Sequence, residues 1–148
     1  MKRLLILVVM LLIMAVLFKP FKANAEFKSI SELEDSKLYP DMLVLMLLPQ
    51  IQDAVKSYYS KVLTVEPVIY PYEIDIVEAK RDDENPNHRG YDFFLIFEVN
   101  PVVGPHIAVG KDLIAFELSP RIPNTVKMKS YQHIQTNELP PNWQHILR

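Results

Sequence analysis

The chain has 148 residues, 18 acidic against 16 basic side chains, a formal net charge of −2, three glycines and no cysteine. The missing cysteine excludes disulfides, a cysteine nucleophile and cysteine-ligated zinc. Gly90, Gly104 and Gly110 stand at spacings that build no P-loop, dinucleotide fingerprint or G-x-S-x-G elbow, and no H-E-x-x-H is present.

Residues 1–25 read as a secretory signal peptide. Lys2 and Arg3 form its charged start, Leu4 to Phe18 its apolar run, and Ala23-Asn24-Ala25 a small-x-small site with cleavage after Ala25. The competing reading is an uncleaved N-terminal membrane anchor. Against it, the run falls short of the about 20 apolar residues a spanning helix needs. Cleavage would leave Glu26 to Arg148, with 12 basic and 18 acidic residues. A domain this acidic is a poor nucleic-acid ligand, because phosphate binding rests on clustered Lys and Arg. The expected product is secreted, meeting the membrane only through its signal peptide before cleavage.

Residues 26–40 form a short polar lead-in, and the domain is expected over 41–135. Pro40 to Leu63 is the convincing helical region. Met42 to Leu48 is seven apolar residues in a row, read as a turn of helix buried on all sides. Pro49 lacks the N–H that would bond the Leu45 carbonyl, so a kink or break is expected there. Beyond it Ile51, Val55, Tyr58, Tyr59 and Val62 share one helical stripe, with Gln52, Asp53 and Lys56 on the wet side.

After Leu63 the period changes from 3.6 to 2. Thr64 to Pro71 is a connector. Tyr72, Ile74 and Ile76 alternate with acids and open a strand running to about Lys80. Arg81 to Gly90 is a charged hairpin loop. Tyr91 to Asn100 is the strongest strand and a candidate for the centre of the sheet, with Phe93, Leu95, Phe97 and Val99 on one face. Asn100 to Gly110 reads as a second loop. Lys111 to Ser119 and Thr125 to Ile134 are two further strands, the last with Val126 and Met128 opposite Lys127 and Lys129. Residues 136–148 form a polar tail carrying Trp143. Consecutive strands on short connections favour an antiparallel meander, whose apolar face needs a covering layer. The expectation is an α+β domain in which one helix, kinked or broken at Pro49, packs on a curved antiparallel sheet of about four strands. Its outline is cystatin-like or nuclear-transport-factor-2-like.

Asp41 to Tyr59 is followed by a Tyr-rich connector, the strand around Ile74 and Ile76, and the phenylalanine-rich strand. A G-x-H loop, Gly104 and His106 closed by Gly110, then leads into D-x-I-x-F, which is Asp112, Ile114 and Phe116. This series, Asp41 to Ile134, resembles the DUF3888 family, small secreted proteins of unknown function from Gram-positive spore-forming bacteria. Ile107, Ala108 and Val109 depart from that family's pattern, which commonly carries Asn-Pro-Pro-Tyr there. The resemblance implies export and an α+β fold, and no activity.

Three groups of residues are candidates for chemistry. His106 on its Gly/Pro loop, with Asp112 nearby, could be an oriented general base; the plainer reading is a turn with a local hydrogen bond. Tyr58 and Tyr59, with Tyr70 and Tyr72, could line an aromatic pocket, though aromatics on a helical stripe are more often core. Asp82, Asp83, Glu84 and His88 could gather around Ca²⁺, but their spacing is not that of an EF-hand, and a solvated hairpin tip is the plainer reading. No cofactor is expected. The leading function is a secreted non-catalytic domain that binds a partner protein or an envelope component outside the cell. The alternatives are a small enzyme with a helix–sheet pocket and His106 as general base, or a secreted inhibitor.

Overall fold

A computed structural model describes residues 37–81 and 90–148. Residues 1–25, read above as a signal peptide cleaved after Ala25, and the loop residues Asp82, Asp83, Glu84 and His88 lie outside the described residues.

Helix α1 runs from Leu38 to Tyr59 without interruption, with Pro49 inside it. Pro40 falls in its first turn, where a missing N–H costs nothing, and Asp41 meets the positive end of the dipole there. Of the kink or break expected at Pro49, a break does not occur: the helix runs on through it. Pro49 sits on the exposed side of the helix. The carbonyl it leaves free, that of Leu45, is therefore on the side open to water, while Val44, Leu47 and Ile51 keep the inner face packed.

The burial expected all round Met42 to Leu48 is also corrected. Val44 and Leu47 are buried, but Met42 is 50%, Leu45 57% and Met46 73% exposed. The sheet covers one side of α1 alone, so the opposite apolar side is left open. Gln52, placed on the wet side by periodicity, instead clamps the connector. Its amide donates to Pro67 O at 2.8 Å and accepts from Ile69 N at 3.0 Å.

The sheet is antiparallel, in the order β1 (Ile74–Arg81), β2 (Phe93–Val99), β5 (Gly110–Leu118), β6 (Val126–Thr136). The α+β architecture thus matches expectation, and β2 is central. Leu95, Phe97, Val99, Ile114 and Phe116 face α1 and share one buried cluster with Val44, Leu47, Ile51, Val55 and Tyr59. Each such side chain contributes about 1.5–3 kcal/mol on burial. Tyr72 does not enter the first strand. It lies in the 3₁₀ turn Pro71–Glu73 and is mostly exposed.

The segment expected as a loop before β5 contains a small ribbon, β3 (Val102–Val103) paired with β4 (Ile107–Ala108). Val and Ile flanking Gly104-Pro105 are strand formers around a turn, which is why the ribbon forms. Gly104 has φ +51°, and a Cβ there would stand 2.2 Å from Trp143 Cη2, so glycine alone fits. Trp143 brings the chain end back onto the domain. Leu139 and Ile146 are buried, Thr64 N donates to Ile146 O at 2.8 Å, and Arg148 N donates to Val62 O at 3.0 Å.

Candidate functional site

Strands β5 and β6 carry the site. Counting back from their hairpin, Leu118 pairs with Val126 and Phe116 with Met128, but Ala115 pairs with Ser130. Lys129 is thus an extra residue, a bulge that reverses which side chains of β6 face inward. Beyond it Tyr131 and His133 turn toward the helix, and Asp112 pairs with His133.

Asp112 is completely buried. Its Oδ2 accepts from the Tyr59 hydroxyl at 3.0 Å, and its Oδ1 lies 2.7 Å from His133 Nδ1. A carboxylate only accepts, so Nδ1 carries the proton and donates it. In the neutral ring Nε2 is then an acceptor. The Thr136 hydroxyl stands 2.7 Å from Nε2 and is the donor to it. The result is a directed hydroxyl–imidazole–carboxylate chain, Thr136–His133–Asp112, braced by Tyr59. Tyr58 fixes the imidazole plane further. Its ring stacks on His133 and on Tyr131, in each case with centroids 5.0 Å apart.

Gly110 makes room for this arrangement. A Cβ there would come within 2.5 Å of the Tyr59 hydroxyl and 2.6 Å of Gln135 O. Beside the chain lies a cavity of about 130 Å³, with Tyr58, Val62, Leu139 and Leu147 on its apolar walls. His133, Thr136 and Asn137 form its polar side.

The structure does not bring His106 and Asp112 together. His106 is exposed at the ribbon tip with φ +61°. It stacks on Tyr70 at 4.8 Å, and its Nδ1 lies 3.1 Å from the Tyr72 hydroxyl. The four tyrosines therefore fall into two groups, Tyr70 and Tyr72 around His106, Tyr58 and Tyr59 around His133. Sequence reading passed over His133, Thr136 and Tyr131. At constant register Asp112 would face Gln132, and nothing in the local pattern marks Lys129 as the bulge that moves it to His133. The one legible signal is His133 in the last expected strand, Thr125 to Ile134; Thr136 falls in the expected tail, and the strand in fact runs on to it.

Three tyrosines here, Tyr58, Tyr59 and Tyr131, hold their protons above the ordinary tyrosine value of 10.0. For each, burial is the main cause, followed by the nearby Asp112 carboxylate. The Tyr131 hydroxyl is closed off from solvent; it lies near enough to the Asp112 carboxylate to feel its pull, yet forms no well-aligned hydrogen bond among the described residues. A raised folded-state value gives stability that is complete below pH 10 and lost above it, because the unfolded chain then releases protons the folded chain retains. The loss is at most about 1.4 kcal/mol per pH unit per hydroxyl, and smaller for Tyr131, whose ring partly meets solvent. Tyr131→Phe should stabilise the fold by up to about 1 kcal/mol, since a buried hydroxyl without a well-formed hydrogen bond is costly and the weak pull of Asp112 offsets only part of that cost. It should also flatten the alkaline loss. Urea unfolding of both proteins on either side of pH 10 checks the two effects, and a less stable Tyr131→Phe would contradict them.

The family model described as "Protein of unknown function (DUF3888)" matches residues 39–135, and the chain belongs to that family. No curated protein and no solved structure matches the chain.

Proposed function

We propose that this DUF3888 chain is an exported domain that docks a partner protein through the outer side of α1. What carries the reading is the open apolar stripe of Met42, Leu45, Met46 and Pro49. These residues recur at helical spacing directly opposite Val44, Leu47 and Ile51. Side chains this large gather in water at some cost, and a contiguous exposed patch of them marks a surface that another molecule covers. Further along α1 the outer side turns polar, with Asp53 and Lys56, so the stripe has a defined end.

Export rests on the leader read from residues 1–25. The acidic balance of the chain behind it favours a protein partner over an envelope component. Anionic lipids and wall polymers repel a domain with excess Asp and Glu, whereas an apolar helix or strand face does not. On this reading the stripe is the centre of the interface, with Met as the adaptable contact. The test places a photo-crosslinking residue at Met46 or, as control, at Lys127 on β6, in chain exported by its own cell. A discrete protein adduct at 46, absent at 127 and lost with Leu45→Asp, is the expected result. Lipid or wall-polymer adducts at 46, a crosslinked second copy, or equal labelling at both positions would each overturn it.

A further inference from the structure

We propose that the Thr136–His133–Asp112 chain is a catalytic centre for hydrolysis of esters of small apolar acids, with Thr136 as nucleophile and His133 as general base. The proposal stands on the direction of the hydrogen bonds and on the cavity beside them. Asp112 accepts from both Tyr59 and His133 and is fully buried, so it cannot turn away to solvent. In the neutral ring that leaves Nε2 as acceptor, aimed at Thr136 Oγ1 at 2.7 Å. A nucleophile held by a base, and a base oriented by a third group, is the arrangement that activates a hydroxyl.

Two more features fit. Asn137 lines the same cavity next to Thr136, and its Nδ2 donates to Ala108 O at a long 3.3 Å. The second N–H of that amide can meet an oxyanion, as side-chain amides do in other acyl-transfer sites. The cavity of about 130 Å³ is walled by Tyr58, Val62, Leu139 and Leu147. That is close to the size of an apolar cavity that takes up one benzene ring, so the acyl group is small and uncharged.

The steps balance as follows. Thr136 Oγ1 bonds to the ester carbonyl carbon while its proton passes to His133 Nε2, and the carbonyl electron pair moves to oxygen beside Asn137. The carbon–alkoxy bond then breaks, and the departing alkoxide takes the proton from Nε2 and leaves as an alcohol. Water attacks the acyl-Thr136, losing a proton to Nε2. The bond to Oγ1 breaks, Oγ1 recovers that proton, and a carboxylic acid is released. Water is the sole co-reactant and nothing is oxidised.

The test follows p-nitrophenyl butyrate hydrolysis by the full chain, with mass spectrometry of quenched samples. The expected result is a burst of p-nitrophenol and one butyryl group on Thr136. Thr136→Val, which keeps shape and deletes the hydroxyl, should abolish burst and adduct, while Thr136→Ser retains both. His133→Gln should slow turnover by about 10²–10⁴-fold, the usual worth of a general base. Circular dichroism verifies that each variant is folded. Hydrolysis no faster than buffer, unchanged turnover in Thr136→Val, or a butyryl group on His133 or a lysine would each overturn the proposal.

Discussion

Asp112→Ala is expected to lower the stability of the fold by about 2–4 kcal/mol. The substitution leaves the buried Tyr59 hydroxyl and His133 Nδ1–H without their acceptor. An orphaned buried donor costs about 1–3 kcal/mol, and the missing carboxyl adds a small cavity. Relief from desolvating a carboxylate works the other way, and it sets the lower end of the range. Urea unfolding at neutral pH measures the difference, and an Asp112→Ala protein as stable as the parent would show that desolvation outweighs the hydrogen bonds. Asp112→Asn separates stability from chemistry. Its amide oxygen still accepts from Tyr59, but its NH₂ donates to Nδ1 and forces the other imidazole tautomer. Nε2–H then donates to Thr136, reversing the chain. The expected cost is about 1 kcal/mol, with the tautomer read directly from imidazole ¹⁵N shifts.

Gly110→Ala should cost about 1–3 kcal/mol by overpacking and should disturb the site more than the fold. The new methyl meets the Tyr59 hydroxyl, Gln135 O and, at 3.0 Å, His133 Cε1. One of these, Gln135 O, is backbone of the paired strand and cannot rotate away. The side chains therefore give first, and the Tyr59–Asp112–His133 bonds lengthen. The measurements are the urea midpoint and the His133 ring proton shifts. A variant with both unchanged would mean that the end of β6 moves freely, against its pairing with β5 up to Gly110 and Thr136.

Much of the fold was legible in the residues because it depends on local pattern. The alternation of Leu95, Phe97 and Val99 marked a central strand, and the run of consecutive strands marked a meander. The stripe of Ile51, Val55 and Tyr59 marked the inner side of the helix. Around Met42 to Leu48 the pattern was ambiguous. An apolar run without a polar side reads equally as a helix buried all round or as one with an open apolar surface, and only the extent of the covering sheet separates the two.

The site was less legible. The residue pattern marks Tyr58, Tyr59 and Asp112, but nearness in sequence pairs Asp112 with His106, six residues away. A strand carries residues six apart to well-separated places, whereas the neighbouring strand brings a residue 21 positions on into contact.

The sequence by itself determined the α+β class, the order of elements, the central strand and the absence of cysteine chemistry, since these follow from periodicity and composition. Tertiary structure alone decided that Asp112 meets His133, that His133 meets Thr136, that Gly110 must lack a side chain, and that Met42, Leu45 and Met46 stay open. The reason is register. One extra residue at Lys129 turns Tyr131 and His133 inward, and a second at Ile134 brings Thr136 onto the same face as His133; bulges change pairing at the far end of a hairpin without altering any pattern a local reading can detect.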